Sequence, residues 1–380
     1  MRQEQNNIFA KIDWLLVFLF LFLVGFGWMN IYAASRTTED TELLSFTTKH
    51  GKQFIFICCT IPLIVLILFF NSKFYEKFSS IFYLISIASL IGLFVFGKKI
   101  NGATSWYNFG SIGLQPSEFV KAFTALAIAK LLSDRKYNLK LIKNQIKAFI
   151  IIFIPAILIT LQPDAGSALI YLAFFLVLNR EGLTLNYLLF GALLILVFIL
   201  IIFFGYIPIS LWLIGLISIG LFYAIYRGGK RFIRFNWHKV LMIYILTILF
   251  TFGTNFTYNT IFKQHHRDRF EVLLGLKIDT KNIGYNSYQS ELTISSGSWT
   301  GKGFLKGDIT KGDFVPEQHT DYIFSTVGEE WGFLGSSFVI LLFMLMLYRI
   351  IYLAEKHTNK FGRIYGYGVA SILFFHLIIN

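Results

Sequence analysis

One short stretch of the sequence concentrates side chains that can move protons. Glu317, His319 and Asp321 alternate directly before a long apolar segment. A carboxylate that enters an apolar environment is desolvated, which tunes it toward general-base chemistry near neutral pH. A polar cluster that caps the following helix is the alternative interpretation, and the residues alone leave both open. A metal site is not favoured, because the spacing matches no standard zinc pattern.

A second candidate is a pair of opposite charges inside an apolar segment. Glu118 and Lys121 are three residues apart and follow Gln115-Pro116, so they share one face of a helix that begins at the proline. Charges inside a membrane span cost about 2.5–3.5 kcal/mol each, so the pair requires an explanation. It is either a local ion pair at the helix end or a cation on the floor of an outward-facing cavity that awaits an anionic ligand.

Two further ionisable residues have structural interpretations. Asp164 follows Gln162-Pro163 and is expected to be the N-cap of the next helix. His376 lies in the last apolar segment, where a hydrogen-bonded packing histidine is the favoured interpretation over a ligand.

Membrane helices must position these residues. The chain has 380 residues, of which 56% are hydrophobic and 14% are charged, whereas soluble proteins have about 25% charged residues. This composition excludes a water-soluble fold, and its hydrophobicity excludes intrinsic disorder. The net charge of +13 lies mostly in short links between apolar runs, which is how membrane orientation is encoded. We therefore expect a lipid bilayer and no nucleic-acid partner.

Apolar segments long enough to cross a bilayer recur along the whole sequence. The prediction is an all-α polytopic integral membrane protein with about 11 transmembrane helices, forming a single domain over residues 1–380. The predicted spans lie near 14–33, 54–71, 78–97, 117–132, 147–162, 165–180, 185–204, 209–226, 240–261, 323–348 and 363–380. Links rich in Lys and Arg place the N-terminus in the cytoplasm. The large loop 263–322 is then extracytoplasmic, and so are the candidate residues.

The polar motifs, taken in order, resemble the signatures of the SEDS family (shape, elongation, division and sporulation). The match runs nearly end to end and is closer to the rod-shape branch of the family than to the division branch. The motifs that carry it are Asn101 to Trp106, Gln115 to Lys121, Gln162 to Ala168, Phe314 to Asp321 and Gly328 to Gly335.

The resemblance implies an enzyme, a peptidoglycan glycosyltransferase that polymerises lipid II on the outer face of the bacterial cytoplasmic membrane during cell elongation. It implies Asp321 as the catalytic residue, Glu118 and Lys121 in a central cavity, and a class B penicillin-binding protein as partner. A divalent cation, Mg²⁺ or Mn²⁺, could share the charge of the pyrophosphate, but no ligand set in the sequence demonstrates one. The other substrate-binding candidates are Trp106, Gln115, Asp164, Arg267, Arg269, Lys302, Glu317 and His319.

The sequence departs from the family pattern in three places. Ser105 stands where the family usually has arginine, so a cation near the pyrophosphate is missing or is supplied by Lys98, Lys99, Arg267 or Arg269. About nine spans precede the large loop, where the family has seven. The sequence stops at Asn380 inside an apolar run, which predicts a truncated chain without the last helix of the family.

Two functions of other classes compete with the enzyme. A lipid II flippase would use many helices and an intramembrane Glu–Lys pair, but it predicts internal repeats and broken helices near the midplane. No internal repeat is found in the sequence. A non-catalytic scaffold for a penicillin-binding protein would leave Asp321 dispensable.

Overall fold

The computed structural model describes residues 12–36, 48–100, 103–110, 112–262, 264–276, 284–312 and 314–379. Within these ranges the side chains of 100, 112, 228–236, 261, 265, 266, 269, 270 and 273 lie outside the description. Asn380, part of the link 34–53 between the first two predicted spans, and part of the loop 263–322 also lie outside the described residues. The chain divides into two compact units. Unit 1 is Met1–Thr184 with Gln289–Asn380, and unit 2 is Leu185–Tyr288. The single domain predicted for the whole chain stays a prediction.

Unit 1 is built almost entirely from helices. Its helices before the large loop are α1 (Trp14–Ser35), α2 (Lys49–Phe69), α3 (Ser72–Phe96), α4 (Pro116–Ser133), α5 (Ile142–Leu161), α6 (Ala165–Leu169) and α7 (Phe174–Arg180), with a 3-10 turn at Ile170–Ala173 between the last two. Unit 2 contains α8 (Asn186–Phe204), α9 (Tyr206–Phe256), a π turn at Thr257–Ile261 and α10 (Gln264–Leu273). After them come α11 (Tyr285–Ser296), α12 (Asp308–Lys311), α13 (Ile323–Lys356) and α14 (Lys360–Ile379).

The described residues contain nine helical segments that are long and apolar enough to cross a membrane. They are Trp14–Ser35, Lys49–Phe69, Ser72–Phe96, Ile142–Leu161, Asn186–Phe204, Tyr206–Arg227, Trp237–Thr260, Ile323–Lys356 and Lys360–Ile379. The two other predicted spans correspond to α4, which carries three charges, and to the shorter apolar segment Ala165–Arg180. The apolar side chains of these helices also face outward. In α8, for example, only Val197 and Ile201 are buried. The predicted all-α polytopic membrane protein is confirmed.

Helix α9 is helical over 51 residues and contains both spans predicted near 209–226 and 240–261, as Tyr206–Arg227 and Trp237–Thr260. Ser218 Oγ lies 2.8 Å from Tyr244 Oη, although 26 residues separate them. In a straight helix these two residues would be about 39 Å apart along the axis. The chain therefore turns back between them, and the two predicted spans are present as separate segments.

The core of unit 1 lies between α3, α4, α5, α7 and α14. Helices α4 and α14 approach closely where Gly368 faces Ala125, because a Cβ on the glycine would lie 3.0 Å from the alanine Cβ. Small residues at such a crossing let helix backbones come together inside a membrane. This contact fixes how α14 lies along the helix that carries Glu118 and Lys121.

The link 98–116 between two predicted spans contains three short antiparallel strands, which were not predicted from the sequence. They are β1 (Lys98–Ile100), β2 (Ala103–Phe109) and β3 (Ile112–Leu114), in the order β1-β2-β3. Lys98 pairs with Trp106, and Tyr107 pairs with Leu114. The strands lead directly into the first turn of α4.

Helix α13 is broken near its beginning. Gly332 has φ 65° and ψ −165°, a conformation that is nearly confined to glycine. The backbone groups around the break pair with the loop that follows α11. Lys302 N donates to Glu329 O at 3.0 Å, and Phe333 N donates to Ser298 O at 2.9 Å. The break therefore inserts the loop 298–303 into the helix.

Candidate active site

Lys121 lies at the centre of the first cluster of candidate residues. Its Nζ is 2.9 Å from Glu118 Oε1 and 2.7 Å from His376 Nε2. The Lys121 side chain is 2% exposed, whereas that of Glu118 is 49% exposed. The two side chains form the ion pair that was one of the two predicted interpretations, and the Lys121 ammonium is buried. Of its two partners, the carboxylate of Glu118 is the more exposed at the protein surface.

The start of α4 explains this geometry. Pro116 occupies the first turn, where a backbone N–H has no partner within the helix, so the N–H that proline lacks is not needed. Glu118 lies in the same turn, where the helix dipole favours a negative charge. Lys121 follows three residues later, so both side chains emerge on one face.

His376 was interpreted as a packing residue, and the structure brings it into the cluster. An ammonium group has only donors, so the imidazole accepts at Nε2 and carries its hydrogen on Nδ1. The two residues are 255 positions apart. Local spacing cannot reveal such a contact, and the only signal in the sequence was a histidine inside an apolar segment.

The turn before α6 contacts the residue that precedes α4, next to this cluster. Asp164 Oδ1 accepts from Ser167 N at 3.1 Å, which confirms the predicted N-cap, and Oδ2 accepts from Gln115 Nε2 at 3.2 Å. The fully buried Gln162 donates from Nε2 to Leu90 O at 2.8 Å. Gln115 and Asp164 are thus brought together, next to the first turn of α4.

Trp106 lies on β2, close to the same turn. Thr104 N, two residues earlier, donates to Gln162 O at 3.2 Å. The indole ring packs over Gly113, whose absent Cβ would lie 3.0 Å from ring atom Cε3. The ring is half-buried, while Ser105, which stands where the family has arginine, is buried.

The second cluster surrounds Asp321. Its carboxylate is exposed on the surface of the protein. Its backbone N donates to Glu317 O at 3.1 Å. Glu317 has a positive φ of 56°, which is rare for a residue with a side chain. His319 Nε2 lies 3.7 Å from Glu317 Oε2, and Lys49 Nζ lies 3.3 Å from His319 Nδ1. The structure therefore brings Glu317, His319 and Asp321 together on one turn.

Glu329, in the first part of α13, is a residue that the sequence analysis named only within a motif. It is fully buried and accepts four hydrogen bonds. They come from Lys302 Nζ at 2.7 Å, Ile309 N at 3.0 Å, Thr310 N at 2.8 Å and Thr310 Oγ1 at 2.7 Å. A carboxylate inside a predicted span was the signal that could have drawn attention to it.

Lys302 was a substrate-binding candidate. Besides Glu329, its Nζ contacts Asp308 Oδ2 at 3.3 Å. The hydrogen bond to Glu329 is the largest influence that raises the pKa of Lys302 above its ordinary value of 10.5. Its charge is therefore already balanced by two carboxylates.

The two arginine candidates belong to unit 2. Arg267 lies on α10 and is half-buried. Arg269 lies on the same helix, but its side chain is outside the described part of the structure. Their roles stay predictions.

The fold and the two clusters define a multi-pass membrane protein with a buried lysine between helices and an exposed carboxylate on a hydrogen-bonded turn. The family model of cell cycle proteins that groups FtsW, RodA and SpoVE matches residues 13–214 and 214–380. This chain belongs to that family, which confirms the resemblance found in the motifs.

Individual relatives agree with this assignment. Peptidoglycan glycosyltransferase RodA of Treponema pallidum is 26% identical, over 98% of this chain and 89% of the relative. Peptidoglycan glycosyltransferase MrdB of Escherichia coli is 27% identical, over 98% of this chain and 83% of the relative.

Solved structures support the fold. A chain from a peptidoglycan synthase complex matches with a TM-score of 0.64 at 23% identity, over 97% of this chain and 85% of that chain. RodA of Thermus thermophilus matches with a TM-score of 0.58 at 21% identity, over 97% of this chain and 83% of that chain.

Proposed function

We propose that the chain is a peptidoglycan glycosyltransferase that polymerises lipid II on the outer face of the bacterial cytoplasmic membrane. Membership of the family and the names of the relatives support this activity. The structural observation that carries it is the exposed carboxylate of Asp321, which lies on a turn with a buried hydrogen-bonded side. An enzyme needs this arrangement when a base must meet a substrate that enters from outside.

In the proposed reaction Asp321 is the general base. A hydroxyl oxygen of the acceptor sugar forms a bond to the anomeric carbon of the donor sugar. The bond from that carbon to the lipid pyrophosphate oxygen breaks, and the bonding pair leaves with the pyrophosphate. The proton of the acceptor hydroxyl passes to the carboxylate of Asp321. A positioned base of this kind contributes typically about 10²–10⁴-fold to the rate.

Lys121 is proposed to stabilise the leaving pyrophosphate. Its partner Glu118 is half-exposed, so an anionic group that arrives from outside can compete for the ammonium. Electrostatic stabilisation of developing charge is usually the largest single catalytic effect. Arg267 and Arg269 remain further candidates for the same task. Within the described residues no group of three or more His, Cys, Asp or Glu side chains is placed to hold a metal ion, so no step is assigned to one.

The remaining candidates are proposed to contact the sugars and the peptide. Trp106 offers a half-buried aromatic face, and Gln115 and Asp164 offer a paired amide and carboxylate. Glu317 and His319 flank Asp321 on its turn. Lys302 is less suited to substrate binding, because its ammonium already contacts Glu329 and Asp308.

The proposed partner is a class B penicillin-binding protein, which would cross-link the strands that this chain makes. The likeness to a chain from a peptidoglycan synthase complex supports a partner of this kind. The proposed orientation has a cytoplasmic N-terminus and an extracytoplasmic site, as the distribution of Lys and Arg predicts.

The decisive experiment replaces Asp321 by Asn and measures glycan strands made from purified lipid II, with the penicillin-binding partner present. We expect no polymer from D321N, because an amide cannot accept the proton, and a melting temperature close to that of the wild type, because the side chain is exposed. The matched control is Glu291→Gln, an exposed carboxylate on α11, which should polymerise normally.

The same assay separates the competing functions. Normal polymerisation by D321N would show that Asp321 is not the general base. Absence of polymer from the wild type together with lipid II transfer across vesicles would favour a flippase. Polymer made only by the partner would favour a scaffold.

A further inference from the structure

We propose that Thr310 and Glu329 are positioning residues that set the location of Asp321. They act through Gln318, which lies on the same turn as Asp321, and neither is expected to touch the substrate. This inference rests on the proposed function, because it assigns a task to residues around the proposed base.

The first step is the burial of Glu329. A carboxylate with no exposed surface must be compensated by partners, because an unpaired buried charge is strongly destabilising. Three of its four partners are the backbone N–H groups of Ile309 and Thr310 and the hydroxyl of Thr310. The fourth is Lys302. Glu329 therefore fixes α12 against the first part of α13.

Close packing makes this position rigid. A Cβ on Gly307, just before α12, would lie 2.7 Å from Glu329 Oε2. A Cβ on Gly301 would lie 2.2 Å from Glu330 O. The loop therefore lies directly against α13, and α12 has little freedom to shift.

The second step leads from α12 to the turn. Gln318 is 1% exposed, and its Nε2 lies 3.1 Å from Thr310 Oγ1, 3.2 Å from Ser325 Oγ and 3.1 Å from Thr326 Oγ1. The Thr310 hydroxyl therefore donates to Glu329 and accepts from Gln318. The hydroxyl of Thr310 therefore links the buried carboxylate of Glu329 to the turn that carries Asp321.

The third step leads from the turn to the base. Gln318 N donates to Val315 O at 3.2 Å, and Asp321 N donates to Glu317 O at 3.1 Å. Val315 is fully buried, so one side of the turn is fixed inside the protein while Asp321 emerges on the other. Because Asp321 is exposed, its location depends on the backbone of this turn. A misplacement of about 1 Å can cost about 100-fold in rate.

The test compares two replacements of one residue. Thr310→Val keeps the shape of the side chain but removes the hydroxyl, whereas Thr310→Ser keeps the hydroxyl. We expect T310V to lower kcat for lipid II polymerisation by about 10-fold to 100-fold, with KM within about twofold of wild type. T310S should stay within about threefold of the wild-type kcat. The control is Thr293→Val, since Thr293 is buried on α11 and donates only within that helix in the contacts described.

A purely structural role gives a different pattern. It predicts a lower melting temperature for T310V with kcat unchanged below that temperature, and this outcome would overturn the inference. Equal loss of kcat in T310S and T310V would overturn it too, because the hydroxyl would not matter. If T310V does not fold, Gln318→Met tests the other end of the contact, and a normal kcat there contradicts the inference.

The result for Asp321→Asn separates the two proposals. Polymerisation by D321N removes the proposed base and with it this inference. An inactive D321N beside a fully active T310V removes the positioning role alone.

Discussion

Replacing Lys121 by methionine separates a catalytic cation from a structural one. Methionine has a similar length but no charge, so it removes the contacts to Glu118 and His376 together. If the ammonium stabilises the leaving pyrophosphate, the variant must lose activity while it remains folded. If the ammonium only holds helices together, the variant must lose stability first.

The burial of the three side chains sets the expected magnitudes. Replacing a whole buried ion pair by well-packed apolar side chains is often neutral or stabilising by about 1–4 kcal/mol, whereas removing one partner costs about 3–5 kcal/mol when the other charge is left buried. Lys121 is 2% exposed. Its carboxylate partner is 49% exposed, so K121M leaves no buried unpaired charge at Glu118. His376→Leu leaves the ammonium buried without one acceptor, and loss of a charged hydrogen bond costs about 1.5–3 kcal/mol. K121M should therefore unfold at or above the wild-type temperature, and H376L below it.

For activity the order of the two variants should be reversed, with K121M more impaired than H376L. Removing one group that stabilises transition-state charge lowers kcat by about 10²–10³-fold, and we expect K121M to lose at least that much in lipid II polymerisation. H376L keeps the cation and should retain more activity than K121M. Strand formation is followed on gels, and unfolding is followed by intrinsic fluorescence in detergent.

The control is Lys130→Met, on the same helix, where Nζ donates to Lys77 O and Ser80 Oγ near the surface. It should polymerise lipid II normally. A fully active K121M would refute the electrostatic role. A K121M that is less stable than H376L would show that Lys121 serves the fold.

Two further predictions concern the loop and its contact with α13. The hydrogen bond to Glu329 is the main cause of the raised pKa of Lys302, so this contact stabilises the fold below about pH 10.5 and is lost as the pH rises through the raised pKa. Lys302→Met should therefore melt lower than wild type near neutral pH, and its melting temperature should fall less toward about pH 11. Melting temperatures of the two proteins that fall in parallel above neutral pH would contradict this. Gly332→Ala should lower the free energy of unfolding by at least about 1–3 kcal/mol from backbone strain, and a Cβ there would in addition lie 2.3 Å from Gly301 N. The control Gly27→Ala, where a Cβ meets nothing within 4 Å, should melt like wild type. Equal melting temperatures of the two variants would show that the fold does not require the break at Gly332.

Local spacing predicted the parts of the site that local physics determines. The Glu118–Lys121 ion pair follows from a separation of three residues on a helix, and the start of α4 follows from Pro116. The N-cap role of Asp164 likewise depends on Ser167, three residues away. The apolar segments were also located, because the length of a membrane span is fixed by the thickness of the bilayer.

Contacts between distant residues could not be predicted in this way. The bond from His376 to Lys121 depends on how closely α14 approaches α4, which only the packing at Gly368 reveals. The bonds of Glu329 depend on the break at Gly332, which lets a loop enter the helix.

Two of the buried charged residues, Glu329 and Lys121, differ in the exposure of their partners. Glu329 has no exposed surface and all its described partners belong to the loop and α12, so an incoming ligand would have to unfold the loop to reach it. Lys121 is equally buried, but one of its two partners, Glu118, is half-exposed. In the proposed function an anion displaces that carboxylate without disturbing either helix, because the Glu118 side chain is already 49% exposed. We therefore propose that the Lys121 cluster exchanges a protein carboxylate for a substrate anion, and that the Glu329 cluster serves the reaction by holding Asp321 in place.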